Sequence, residues 1–71
     1  TSGEFTVEML NSLPAEGARV EVYGMLGGKV LTVPMKDRLE NISIRGNQPG
    51  IYLVRITSGE EVRTVKIILT H

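Results

Sequence analysis

The residues of this chain that could do chemistry are few and poorly placed for it. His71 is the one histidine and stands last. An imidazole in a Ser-His-Asp relay or on a metal must be held in a fixed orientation, and a chain terminus does not hold one. Asp37 is the one aspartate, and Glu60-Glu61 falls in a turn. A calcium loop needs several oxygen ligands at fixed offsets, and none is spelled here. Paired catalytic carboxylates would need burial to shift a pKa, yet nearly every acid lies on a polar row or in a turn, so the carboxylates read as solvated charge. Gly24-Met25-Leu26-Gly27-Gly28-Lys29 has a glycine-rich look, but a phosphate loop would require Gly at Tyr23, Ser or Thr at Val30, and a following helix. A tight hairpin accounts for these glycines without a ligand. There is no Cys, which removes disulfides, thiol chemistry and Cys-based zinc sites together. The expectation is a domain that is not an enzyme and takes no cofactor, metal or small-molecule substrate.

Size and charge narrow the class further. A 71-residue chain buries only about 60% of the surface its unfolded form exposes, so its core is thin. Eight Lys and Arg balance eight Asp and Glu. That neutrality, with basic residues scattered along the chain, lacks the footprint of a nucleic-acid binder. Phe5, Tyr23 and Tyr52 are too few and too dispersed for a base-stacking platform. No apolar run approaches the roughly 20 residues of a membrane-spanning helix, and no signal peptide opens the chain, so an exported protein would carry its leader in a longer precursor.

The elements that must position these residues are strands. Phe5, Val7 and Met9 alternate with Glu4, Thr6 and Glu8; Val20 and Val22 with Arg19, Glu21 and Tyr23; Ile42 and Ile44 with Asn41, Ser43 and Arg45. Successive strand residues point to opposite faces, so each segment can turn one apolar row to a core and one polar row to water. Two denser stretches, Ile51 to Ile56 and Val65 to Leu69, read as central strands covered on both faces. Turn signals separate the runs: Asn11 to Gly17, Gly24 to Gly28, Pro34 to Arg38, Gly46 to Gly50 and Ser58 to Glu60. In the fourth of these, Pro49-Gly50 suits a type II turn, with Gly50 at positive φ. Strands are therefore expected near residues 4–10, 18–24, 28–34, 39–45, 50–57 and 61–69, with Val20, Val22, Ile42, Ile44, Val54 and Ile56 in one core. Short strands at this spacing predict an all-β sandwich or barrel.

Several features in series resemble the C-terminal sorting domain (type A) of type IX secretion cargo. Val20-Glu21-Val22-Tyr23-Gly24 to Val30 is similar to the family's strand, aromatic, short turn with glycine (Gly27) and strand, with Gly24 where the family often has Asn. Ile42-Ser43-Ile44 resembles the strand before its Pro-Gly turn. Pro49-Gly50-Ile51-Tyr52-Leu53-Val54-Arg55-Ile56 looks like its most recognisable block, and Lys66-Ile67-Ile68 like its closing motif. Thr1 to Val7 resembles the tail of the opening motif, without the Pro-Asn-Pro portion. The resemblance spans essentially the whole chain, residues 1–71, as one sorting domain.

The resemblance implies an immunoglobulin-like antiparallel β-sandwich of six to seven short strands, carried at the C-terminus of secreted or surface proteins of Bacteroidota. It implies passage through the periplasm and then export to the cell surface or medium. Its partners would be the outer-membrane translocon, its shuttle protein and a sortase that cleaves upstream of residue 1. Lys66, Gly50, Tyr52 and Gly27 are the candidate recognition residues. Gly50 and Tyr52 also fit a purely structural role, as turn glycine and strand aromatic. Weak dimers through sheet edges are a further expectation, since an edge strand is a template for another chain. The alternative reading is an immunoglobulin-like adhesion or carbohydrate-binding module with no sorting role.

Overall fold

A computed structural model of the chain describes residues 2–10 and 13–70. The terminal His71, the first residue of the opening motif (Thr1) and the start of the first turn (Asn11 and Ser12) lie outside the described residues. The described residues form six strands and no helix: β1 (Glu4–Glu8), β2 (Arg19–Gly24), β3 (Lys29–Pro34), β4 (Leu39–Ser43), β5 (Gly50–Ser58) and β6 (Glu61–Leu69). β1 and β4 make a two-stranded antiparallel sheet, and the other four make a second in the order β3-β2-β5-β6. Each strand falls on an expected segment. β1 and β4 are shorter than their alternating rows, but single bonds carry the pairing past their ends. Met9 N–H donates to the Arg38 carbonyl (2.8 Å) and Ile44 N–H to that of Gly3 (2.7 Å).

The two sheets face each other across one apolar layer, the arrangement of an immunoglobulin-like sandwich. On the inner face of the larger sheet, Val20 pairs with Ile56 and Val22 with Val54. The smaller sheet contributes Val7 and Ile42, and Met35 and Ile44 close the layer from the connections. Val20, Val22, Ile42, Ile44 and Val54 are fully buried and Ile56 is half-buried against them, so the expected core is present. Burying one such side chain contributes roughly 1.5–3 kcal/mol, which makes this small set decisive for a chain of this size.

Two local expectations are corrected. β5 is central as expected but is covered on its inner face alone, and β6 is an edge strand, last in the order β3-β2-β5-β6 and left half open because only two strands lie opposite four. Val65, on the inward row of β6, is still 49% exposed. The second correction concerns the turn before β5. Its left-handed residue is Gly46, with φ +89°, in a turn where Asn47 N–H donates to the Ile44 carbonyl at 3.3 Å. Gly50 does take the expected positive φ, but at +151° it opens β5 opposite Leu69 and lies far from the roughly +80° of a type II turn. Pro49 thus leads directly into a strand, consistent with its fixed φ at a strand entrance.

What anchors the 47–51 segment is Tyr52. Its ring is buried on the inner face, and its hydroxyl donates to the Gln48 carbonyl at 2.5 Å. A strand tyrosine reaching back to backbone a few residues upstream is the tyrosine corner of immunoglobulin-like sandwiches. Tyr52→Phe leaves that carbonyl without its donor, at a cost of about 1–2 kcal/mol. In a domain this small the variant should melt about 5–10 °C lower. A thermal melt that matches the unmutated chain would show that the tether does not hold the segment.

Candidate functional site

The structure divides the four residues singled out from the sequence between two regions. Gly50 and Tyr52 line a shallow groove of about 380 Å³, closed on its other side by the β2–β3 hairpin. Gly27 sits in that hairpin, at φ +89°, where Gly27 N–H donates to the Gly24 carbonyl (3.0 Å) and Gly24 N–H to that of Gly28 (2.9 Å). This is a short hairpin loop whose left-handed glycine lets β3 pair back onto β2. The loop tip presents Met25 and Leu26, both exposed. Lys66 lies elsewhere, directly across from Leu53 on the outer face of the four-stranded sheet. It is exposed and in no ion pair within 4.0 Å among the described residues.

The same outer face holds a cluster that reading the acids as solvated charge misses. Glu21 stands on the polar row of β2, yet is only 4% exposed. Four side chains fold over it. Arg19 and Tyr23 lie two residues either side, on the same face of β2, while Arg55 is its cross-strand partner on β5 and Lys29 pairs with Tyr23 across the hairpin. One carboxylate oxygen, Oε1, accepts from Arg19 Nε (3.3 Å) and from Arg55 Nε and Nη2 (3.4 and 3.3 Å). The other, Oε2, accepts from the Tyr23 hydroxyl (2.9 Å) and lies 3.2 Å from Lys29 Nζ. Arg55 also donates to the Tyr23 oxygen at 2.9 Å and stands 5.2 Å from the centre of its ring. The signal that could have revealed this is the alternation Arg19-Glu21-Tyr23, which needs only strand period and hairpin pairing to gather the rest.

The electrostatic consequence follows from these contacts. The Tyr23 hydroxyl, then Lys29 and Arg55, stabilise the ionised carboxylate, while burial opposes them. The balance lowers the Glu21 pKa from 4.5 to about 2. No buried side-chain nitrogen or oxygen among the described residues lacks a hydrogen-bond partner. Nor does any group of three or more His, Cys, Asp or Glu side chains converge among them. This is a structural charge cluster with an exposed cationic rim.

A second, smaller groove of about 280 Å³ opens between the end of β1 and the β5–β6 hairpin, lined by Val7, Met9, Ile56 and Arg63 among others. It marks where the inner face of β6 runs past the edge of the smaller sheet.

Comparison with known proteins decides what kind of domain this is. The family model described as a secretion system C-terminal sorting domain matches residues 1–70. The chain belongs to this family. It is a C-terminal sorting signal of type IX secretion cargo, which implies export of the attached protein to the cell surface or beyond it. The match favours sorting over the adhesion or carbohydrate-binding alternative, and the family is one of signal domains, not catalytic ones. No curated protein and no solved structure matches the chain.

The Glu21 cluster gives the sorting domain a pH signature. Because the folded-state pKa lies below the ordinary value, the contribution of Glu21 to stability is complete above about pH 4.5. It is lost as pH falls toward about 2. Denaturant midpoints of the unmutated domain should therefore fall across that interval. Glu21→Gln should be less stable near neutrality, where three cations lose their counter-charge, and should show a flatter acid dependence. Equal acid slopes for the two proteins would contradict the assignment.

Proposed function

We propose that this domain is read, as a folded sandwich in the periplasm, by the type IX outer-membrane translocon and its shuttle protein. A sortase then cleaves on the N-terminal side of residue 1 and releases the cargo at the surface. The family match over residues 1–70 carries this reading. The fold supports it, because the family motifs fall on paired strands and turns of one sandwich rather than on separate linear stretches. Tyr52 acts through structure, holding the segment 48–52, and Gly27 and Gly50 serve by shaping the backbone. Lys66 acts through contact. Its side chain points to water from a strand whose packing does not require it, so its charge is available to a partner.

Fused behind a periplasmic reporter with the native upstream linker, the domain should carry the reporter to the cell surface of a type IX-competent host. Lys66→Ala should leave stability within about 0.5 kcal/mol, as surface substitutions usually do, while export falls. Retention of the unmutated fusion in the periplasm, in cells that still export their own cargo, would defeat the sorting mechanism proposed. A folded Lys66→Ala fusion exported at the unmutated level would remove Lys66 from it.

A further inference from the structure

Charge is not spread evenly over this neutral chain. The outer face of the four-stranded sheet carries Arg19, Lys29, Arg55 and Lys66, and its one carboxylate, Glu21, is buried beneath the first three. The outward row of the opposite sheet carries Glu4 and Glu8 instead, with Arg45 on Glu4 at 2.9 Å. Among the described residues nothing packs on the cationic face. Its central row runs Tyr23, Leu53, Lys66 across three strands, and Leu53 and Ile68 stand exposed between the charges at 40% and 53%.

Resting on the sorting reading, we propose that this outer face is where the domain docks on the secretion machinery, against a folded protein surface that is acidic and carries an apolar patch. Four strands spaced about 4.8 Å apart, the longest about 30 Å, present roughly 500 Å² in projection. That approaches the ~800 Å² of accessible surface that each partner contributes to a specific interface. The domain exposes 4960 Å² in all, more than the roughly 4,400 Å² typical of a compact protein of 7.8 kDa. Two features favour a protein over an anionic membrane. Arg19, Arg55 and Lys29 are pinned by Glu21 in fixed positions, which suits a shape-matched surface better than a fluid headgroup layer. A net excess of three cations also contributes only about 1 kcal/mol each at a lipid surface, too little for stable attachment.

The sign of charge at Leu53 tests this. Leu53→Glu, placed between Tyr23 and Lys66, should lower export of the reporter fusion about tenfold or more through like-charge repulsion, whereas Leu53→Lys, which loses the same apolar contact but not the charge match, should lower it no more than about threefold. Leu39→Glu, at a somewhat more exposed leucine on the opposite sheet, should stay within about twofold. Thermal melts of the purified domains establish folding, and Lys66→Glu replaces Leu53→Glu should the latter not fold. Export by a folded Leu53→Glu variant at the unmutated level overturns the proposal, while export of the unmutated fusion keeps the sorting reading intact. Equal loss with Leu53→Lys overturns the acidic character of the partner. Binding of the unmutated domain to vesicles of equimolar phosphatidylglycerol and phosphatidylcholine, abolished by Leu53→Glu, overturns it in favour of an anionic membrane.

Discussion

The register of β2 against β5 is the constraint on which the rest of this domain depends. It is fixed on both faces at once. Inside, Val20 meets Ile56 and Val22 meets Val54; outside, Glu21 meets Arg55. Because side chains alternate, a slip of one residue would send the valines to water and press Glu21 into the apolar layer. An uncompensated carboxylate there would cost several kcal/mol, a large part of the stability of so small a domain. The ion cluster thus reinforces a register that the buried valine row already specifies. Its gain from attraction is modest, since its cations are about half exposed.

From that central pair the other elements follow in order. β3 returns from β2 through the hairpin at Gly24–Gly28. β6 returns from β5 through Gly59, whose φ of +60° at the first loop position suits a type II′ hairpin. Pro34 closes β3, where an edge strand tolerates a residue with no N–H. The smaller sheet then covers the middle of the larger one but not its flank, so β6 stays half open. Among the described residues each sheet is covered on its inner side and bare on its outer one, and the sequence places different charges on the two exteriors.

Most of this was legible in the residues. Period-two rows locate β1, β2 and β4, denser apolar runs locate β5 and β6, and turn signals bound β3; the apolar rows name the core, because alternation and burial are the same fact seen twice. The misreadings have physical causes. Val65 to Leu69 is dense in apolar residues, yet density does not say how many strands lie opposite, and β6 has too few. Pro49-Gly50 has the composition of a type II turn, but Gly46 three residues earlier takes the left-handed position and leaves Gly50 to the ladder. Glu21 looked solvated because its row is polar; its burial comes from Arg55 and Lys29, brought by pairings that lie 34 and 8 residues along the chain. The sorting role came from motif order, confirmed by the family match, and no single residue chemistry announces it.

A sorting signal must survive transit as a fold and still present something to read. On the docking proposed here, the two demands fall on opposite faces of one sheet, the inner face for stability and the outer face for contact. The most direct test places a photoreactive side chain at position 53, on the outer face, or at position 39, on the far sheet, in a fusion undergoing export. The account predicts crosslinks to a component of the outer-membrane secretion machinery from position 53 and few or none from position 39. Crosslinks from position 39 with none from position 53 would contradict it.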